Sequence, residues 1–380
     1  MVMDQELELE TAARDDDEQQ VIRVRKDEMM MEGGLAMLSR FHAGYFRISL
    51  ALSGQALLWR RLRDRHSSET ELLLPSVAFL LLWSLALLSL LVLCSLYAAR
   101  CILRFPAVQA EFRHHVAMNY LFAPWISWLL LLQSAPCFPI FPNIISSLLL
   151  CAFSLPILAL DVKIYGQWFT RGKKFLSMVA NPASHITVIA NLVTARAAAK
   201  MGWHEPAVAI FAVGAAHYLV LFVTLYQRFL GSDSLPAVLR PVFFLFFAAP
   251  SMASLAWEAI SSSPASSSSS SSSSFGTGCK MLFFLSLFLF ASLVCRPTLF
   301  KRAMRRFSVA WWAYSFPLTA LALAAAEYAH NVRQPAANVL MLALAVLSVL
   351  VTLALMLFTA LRTNDLLPHD DPFDCHLLAR

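Results

Sequence analysis

Four prolines stand in similar surroundings: Phe122-Ala123-Pro124-Trp125, Val179-Ala180-Asn181-Pro182, Ala248-Ala249-Pro250-Ser251 and Ser315-Phe316-Pro317-Leu318. They lie roughly 60 to 70 residues apart, about two membrane-crossing helices of chain. A proline inside a helix removes a backbone hydrogen bond and bends the chain. The repeat therefore predicts kinked helices around a common axis, with Pro124, Pro182, Pro250 and Pro317 as the kinks. Candidate lining for such an axis is Arg47, Ser49, Ser184, Thr187, Ser251 and Thr319, nearly all hydroxyls. Hydroxyls and bent backbone make and break no bonds here; they coordinate ions weakly, which suits rapid passage. Lys163, Lys173, Lys174, Arg305 and Arg306 would flank one mouth and concentrate anions there. An aromatic side chain at a kink can form a constriction, and Phe316 before Pro317 is placed for it. With 28 phenylalanines in the chain, packing explains that residue equally well. Arg47 falls well inside the first apolar stretch and either lines a watery path or pairs with a neighbouring helix.

Other chemistry is not indicated. The chain has no HExxH, no phosphate-binding glycine loop and no GxSxG elbow, so no enzyme is expected. His114 and His115 read as a solvated pair at a membrane boundary. The seven cysteines lack CxxC or Cys/His spacing, and no metal or other cofactor is expected. Cys137 and Cys279 both fall on the expected outer side, which leaves a disulfide between them open. A proton-coupled transporter needs membrane carboxylates with partners. The candidates Asp161, Glu258 and Glu327 fall near helix ends and read as mouth or interface residues.

The elements that would position these groups follow from composition. Hydrophobic residues make up 58% of the chain and charged residues 14%, too apolar for a soluble domain of 380 residues. An all-α membrane protein in a lipid bilayer is expected, with no nucleic-acid partner. Apolar stretches near 41–60, 74–98, 115–135, 140–160, 181–200, 206–227, 240–260, 280–296, 307–328 and 336–361 predict ten transmembrane helices as five hairpins. The repeated prolines all fall on odd-numbered helices, and the first helix has Gly44 and Gly54 instead. Odd helices are expected to form a central pore, and the plainer even helices to face lipid. The Lys/Arg bias of the loops places both termini in the cytosol, although Arg60, Arg61, Arg63 and Arg65 fall on the opposite side. Residues 1–38 read as a disordered acidic cytosolic tail without a cleaved leader, 39–362 as the channel-forming domain and 363–380 as a short cytosolic tail. Residues 261–279 read as a serine-rich outer loop.

Several blocks together resemble the plant slow-type anion channel family, over roughly residues 39 to 362. They are Lys163-Ile164-Tyr165-Gly166-Gln167-Trp168, Val179-Ala180-Asn181-Pro182-Ala183-Ser184-His185, and Gly214 to Val220 continuing through Val223-Thr224-Leu225-Tyr226-Gln227-Arg228. Ala248-Ala249-Pro250-Ser251 with Ala256-Trp257, and Phe307 through Pro317, complete the set. The wider group includes bacterial tellurite-resistance proteins and fungal dicarboxylate or sulfite transporters. The resemblance implies a plasma-membrane homotrimer in which each protomer passes chloride and nitrate out of the cell. It also implies an aromatic gate on the ninth helix, and Phe316 is the matching position. The tails offer only Thr11, Ser39 and Thr363, so control by tail phosphorylation is not expected. The chain is similar to the short-tailed subgroup, which implies either a channel in its own right or an electrically silent subunit in a heteromer with a longer relative. A proton-coupled dicarboxylate (malate) carrier is the further alternative. Arg47, in Phe41-His42-Ala43-Gly44-Tyr45-Phe46-Arg47, bears on whether the homomer conducts alone.

Overall fold

A computed structural model describes residues 38, 40–66, 73–114, 116–136, 143–170, 180–230, 237–262, 276–301, 303–305 and 307–363. Among them all regular structure is helical. The helices are α1 (Phe46–His66), α2 (Leu73–Leu103), α3 (Phe105–Arg113), α4 (Ala123–Ser134), α5 (Asn143–Thr170) and α6 (His185–Lys200). After these come α7 (His204–Leu230), α8 (Leu245–Ser261), α9 (Thr277–Val294), α10 (Thr298–Lys301), α11 (Ser315–Val332) and α12 (Pro335–Leu361). The two tails, most of the serine-rich segment, Lys173, Lys174 and Arg306 lie outside the described residues.

Five helices form a closed ring: α1 packs on α4, α4 on α6, α6 on α8, α8 on α11, and α11 back on α1. Each is followed by a partner that packs against it from outside, namely α2, α5, α7, α9 and α12. The two sets differ in composition for a physical reason. Outer helices carry Leu81, Leu88, Leu148, Leu219, Phe288 and Leu342 on exposed faces, as a surface turned to lipid requires. Inner helices are rich in alanine and hydroxyls, which let backbones approach where lipid gives no hydrophobic drive between helices. In α6, every residue from His185 to Ala199 is buried.

Seven helical segments among the described residues are long and apolar enough to cross a membrane, or eight if Phe105–Arg113 and Ala117–Ser134, bent by 105°, count as one span. That is fewer than the ten apolar stretches. The stretches at 41–60 and 181–200 fall into α1, which carries five charged residues among its last seven, and α6, which has only 16 residues. Both are enclosed by protein, so neither needs a long apolar surface.

The inner helices share an entry that the proline pattern only partly anticipates. Each begins with a 3₁₀ segment: Ala43–Tyr45, Ala117–Phe122, Pro182–Ser184, Ala237–Phe244 and Val309–Tyr314. Pro124 and Pro317 occupy the first turn of α4 and α11, and Pro182 opens its 3₁₀ turn. A first-turn proline lacks only an N–H that would have no helical partner. These three therefore mark helix starts instead of mid-span kinks; Pro250 alone of the four stands inside an α-helix. At the other end, Gly202 with φ +82° turns α6 into α7, and Arg333 with φ +54° turns α11 into α12.

Candidate functional site

The N-terminal ends of the five inner elements converge on one small cavity, about 10 Å³ and thus sized for a single water. Its lining takes Arg47 and Leu50 from α1, Tyr120 from the segment before α4, Ile186 from α6, Val242 and Leu245 at the start of α8, and Trp312, Ala313, Phe316 and Pro317 at the start of α11. Every inner element contributes, which places the cavity on the axis of the ring.

Phe316 bounds this cavity and is 3% exposed. Its ring lies against Gly54 of α1: a Cβ there would stand 3.2 Å from Phe316 Cδ2 and 3.4 Å from Thr319 Cγ2. Glycine is what lets the ring sit so close to the α1 backbone. Gly54 stands out in the sequence only as a proline substitute; the closer signal is a small residue facing an aromatic one, which needs the ring's closure to be read.

Arg47 also borders the cavity, and packs on Tyr120 of a neighbouring element. The side chain is 6% exposed, its Nε donates to the Gly44 carbonyl at 2.8 Å, and its guanidinium lies 4.6 Å over the Tyr120 ring. Among the described residues its Nη1 has no hydrogen-bond partner.

The five hydroxyl candidates do not line this cavity. Ser251 Oγ donates to the Phe247 carbonyl and meets Ser286 of α9, while Thr319 Oγ1 bonds the Ser315 carbonyl, Gln55 and Ser348 of α12. Both hydroxyls tie inner helices to outer ones. Ser49 bonds the Phe46 carbonyl and Ser127 across the seam between α1 and α4. Thr187 donates to Asn119, and Ser184 closes a capping box with Asn181. Surrounded by apolar side chains, each hydroxyl finds a carbonyl or another hydroxyl, and the cost of leaving it unpaired decides where it points.

The C-terminal ends of the ring carry a second set of charges. Arg61 makes a bidentate pair with Glu327, at 3.0 Å from Nε and 2.5 Å from Nη2 to Oε2. Arg60 donates to the Gln133 and Ala135 carbonyls, and buried Arg196 to Gln133 Oε1 at 3.0 Å. Arg60 and Arg61 are thus the last turns of α1, braced by neighbouring helix ends, which accounts for their departure from the loop-charge pattern. Glu327 is a paired interface residue. Asp161, by contrast, is buried within α5 beside Asn191, at 4% exposure. Of the two expectations, mouth or interface, this position is an interface between α5 and α6. Of the basic flank, Lys163 Nζ donates to the Phe112 carbonyl and so ties α5 to α3. Arg305 ends the turn Ala303–Arg305, with its side chain outside the described residues. Cys279 is a buried free thiol, and Cys137 lies outside the described residues.

Residues 40–360 match the family model described as voltage-dependent anion channel. The chain is 54% identical over 340 residues to S-type anion channel SLAH1 of Arabidopsis thaliana, covering 88% of this chain and 85% of that one. It is 53% identical over 337 residues to S-type anion channel SLAH4 of the same plant, covering 88% and 87%. The guard cell S-type anion channel SLAC1 is 40% identical over 340 residues, which span 88% of this chain and 58% of that longer one.

Proposed function

Because the chain belongs to the voltage-dependent anion channel family, with S-type anion channels as its relatives, we propose that it is a passive channel for chloride and nitrate efflux across the plasma membrane. The observation that carries this reading is the axial cavity lined by all five inner elements, with Phe316 in its wall. In this reading ten helices cross the bilayer, both termini are cytosolic, and three copies assemble, each with its own path. Phe316 is the gate. Its fit against Gly54 makes the closed state a well-packed one, so opening requires the ring to leave that seat.

Two-electrode voltage clamp on oocytes tests the reading, with wild type and Phe316→Ala compared in chloride and nitrate baths at matched surface expression. Removing the ring is expected to raise anion current severalfold. Unchanged current in a surface-expressed Phe316→Ala would remove the gate assignment.

A second reading is favoured by Arg47. A bare guanidinium in the path opposes rapid passage, which suits a subunit that conducts little alone and modifies a longer relative in a heteromer. Co-expression separates the two: the subunit changes the partner's current while giving none by itself. Asp161 lies on α5 and does not line the cavity, so it adds nothing to a malate-carrier reading.

A further inference from the structure

We propose that Arg47 holds one small monovalent anion, halide-sized, in the axial cavity on the N-terminal side of Phe316, and that this resident anion sets how fast others pass. The inference rests on the channel reading and deepens it.

The first support is an unmet charge. Arg47 is more than nine-tenths buried, and among the described residues no carboxylate forms an ion pair with it. Glu111, the acid packed at this end of the ring, accepts the Ala43 amide at 2.6 Å and pairs with Arg100 at 3.3 Å. A buried guanidinium without a counter-charge is costly, and neutralising it by losing a proton is not open to arginine. An anion at Nη1 supplies both the charge and the missing hydrogen-bond partner.

The second support is the shape and polarity of the cavity. The Nε bond to Gly44 and the Tyr120 ring fix the guanidinium plane, and Nη1 is enclosed without a hydrogen-bond partner among the described residues. Gly44 makes this pose available, because a Cβ there would stand 2.9 Å from Arg47 Nη2 and 2.5 Å from His42 Cε1. The remaining lining is apolar or aromatic and contains no acid. Ile186, Leu245 and Phe316 stand where 3₁₀ segments pass into α6, α8 and α11, so the positive charge at this point is that of Arg47. Positive potential in an apolar, water-sized space selects one compact, weakly hydrated anion. A dicarboxylate needs a second cation and far more room.

Binding is measured on the purified full chain in detergent, as the thermal unfolding midpoint against sodium bromide with ionic strength held by sodium gluconate. Wild type and Arg47→Lys are expected to show a saturable rise that Arg47→Gln lacks. Equal responses in wild type and Arg47→Gln, or no saturable response in wild type, overturn the site. Should Arg47→Gln fail to fold, bromide soaked into crystals of the wild-type protein decides the matter. An anomalous peak within hydrogen-bond reach of Arg47 Nη1 supports the site, and an unoccupied cavity overturns it. In oocytes, adding Arg47→Gln to Phe316→Ala is expected to raise the half-saturating chloride concentration severalfold. Current without a bromide site spares the channel and removes the Arg47 site. A bromide site with every variant silent removes the channel reading instead.

Discussion

Gly54 and Phe316 meet across α1 and α11, and each is explicable only by the other. Valine at position 54 would drive two methyl groups into the ring. Gly54→Val is therefore expected to raise oocyte current in the direction of Phe316→Ala, and to add little in the Phe316→Ala background, since one contact is lost in both cases. Additive currents in the double variant would mean that the two positions act separately. The proline after Phe316 drew notice to it in the sequence, but nothing near position 54 reveals which aromatic faces it. The hydroxyls' hydrogen-bond partners are hidden from the sequence for a similar reason. Residue type shows that Ser251 and Thr319 are buried and polar, not whether the axis or an outer helix offers the acceptor.

Between elements, polar seams do the holding that hydrophobic contact does in water. Gln55 Nε2, with two protons to give, lies within hydrogen-bond distance of the Thr319, Ser348 and Thr352 hydroxyls, joining α1, α11 and α12 at one point. Gln55→Leu leaves three buried hydroxyls to repair their bonds among themselves, and a loss of about 1–3 kcal/mol is expected in detergent unfolding. The Arg61–Glu327 pair offers a sharper contrast. Arg61→Ala strands a buried carboxylate and should cost about 3 kcal/mol, whereas Arg61→Met with Glu327→Leu should recover most of it. Failure of the paired replacement to recover stability would show that the charges do more than satisfy one another. The outer helices were the most legible elements, because a lipid-facing surface demands a long apolar run that any hydropathy count detects. Inner helices were harder: α1 and α6 hide Arg47, His185 and Arg196 inside protein, where the lipid constraint lapses. The 3₁₀ entries left no trace beyond the prolines that accompany some of them.

For the whole molecule, the ring has two electrically distinct ends. Arg47 and the helix N-termini gather at one, while the braced cluster of Arg60, Arg61, Arg196 and Glu327 occupies the other. The proposed orientation, both termini cytosolic, predicts that epitope tags at both ends resist external protease in intact cells and are cut once the membrane is permeabilised. Cleavage of either tag in intact cells would invert the orientation. The proline repeat predicts helices around a common axis, but the contact of α11 with α1, which joins opposite ends of the chain, has no local pattern of its own. The 3₁₀ segment Val309–Tyr314 carries a mechanical corollary. It has six residues in a screw thread of three per turn, feeding straight into a helix of coarser thread. Rethreading those six residues to the α pitch would rotate whatever follows by about 120° and draw it in by about 3 Å. Phe316 is the second residue past that thread, so a camshaft-like turn of α11 would carry its ring off Gly54, with Pro317, then inside a continuous helix, as the point that must bend.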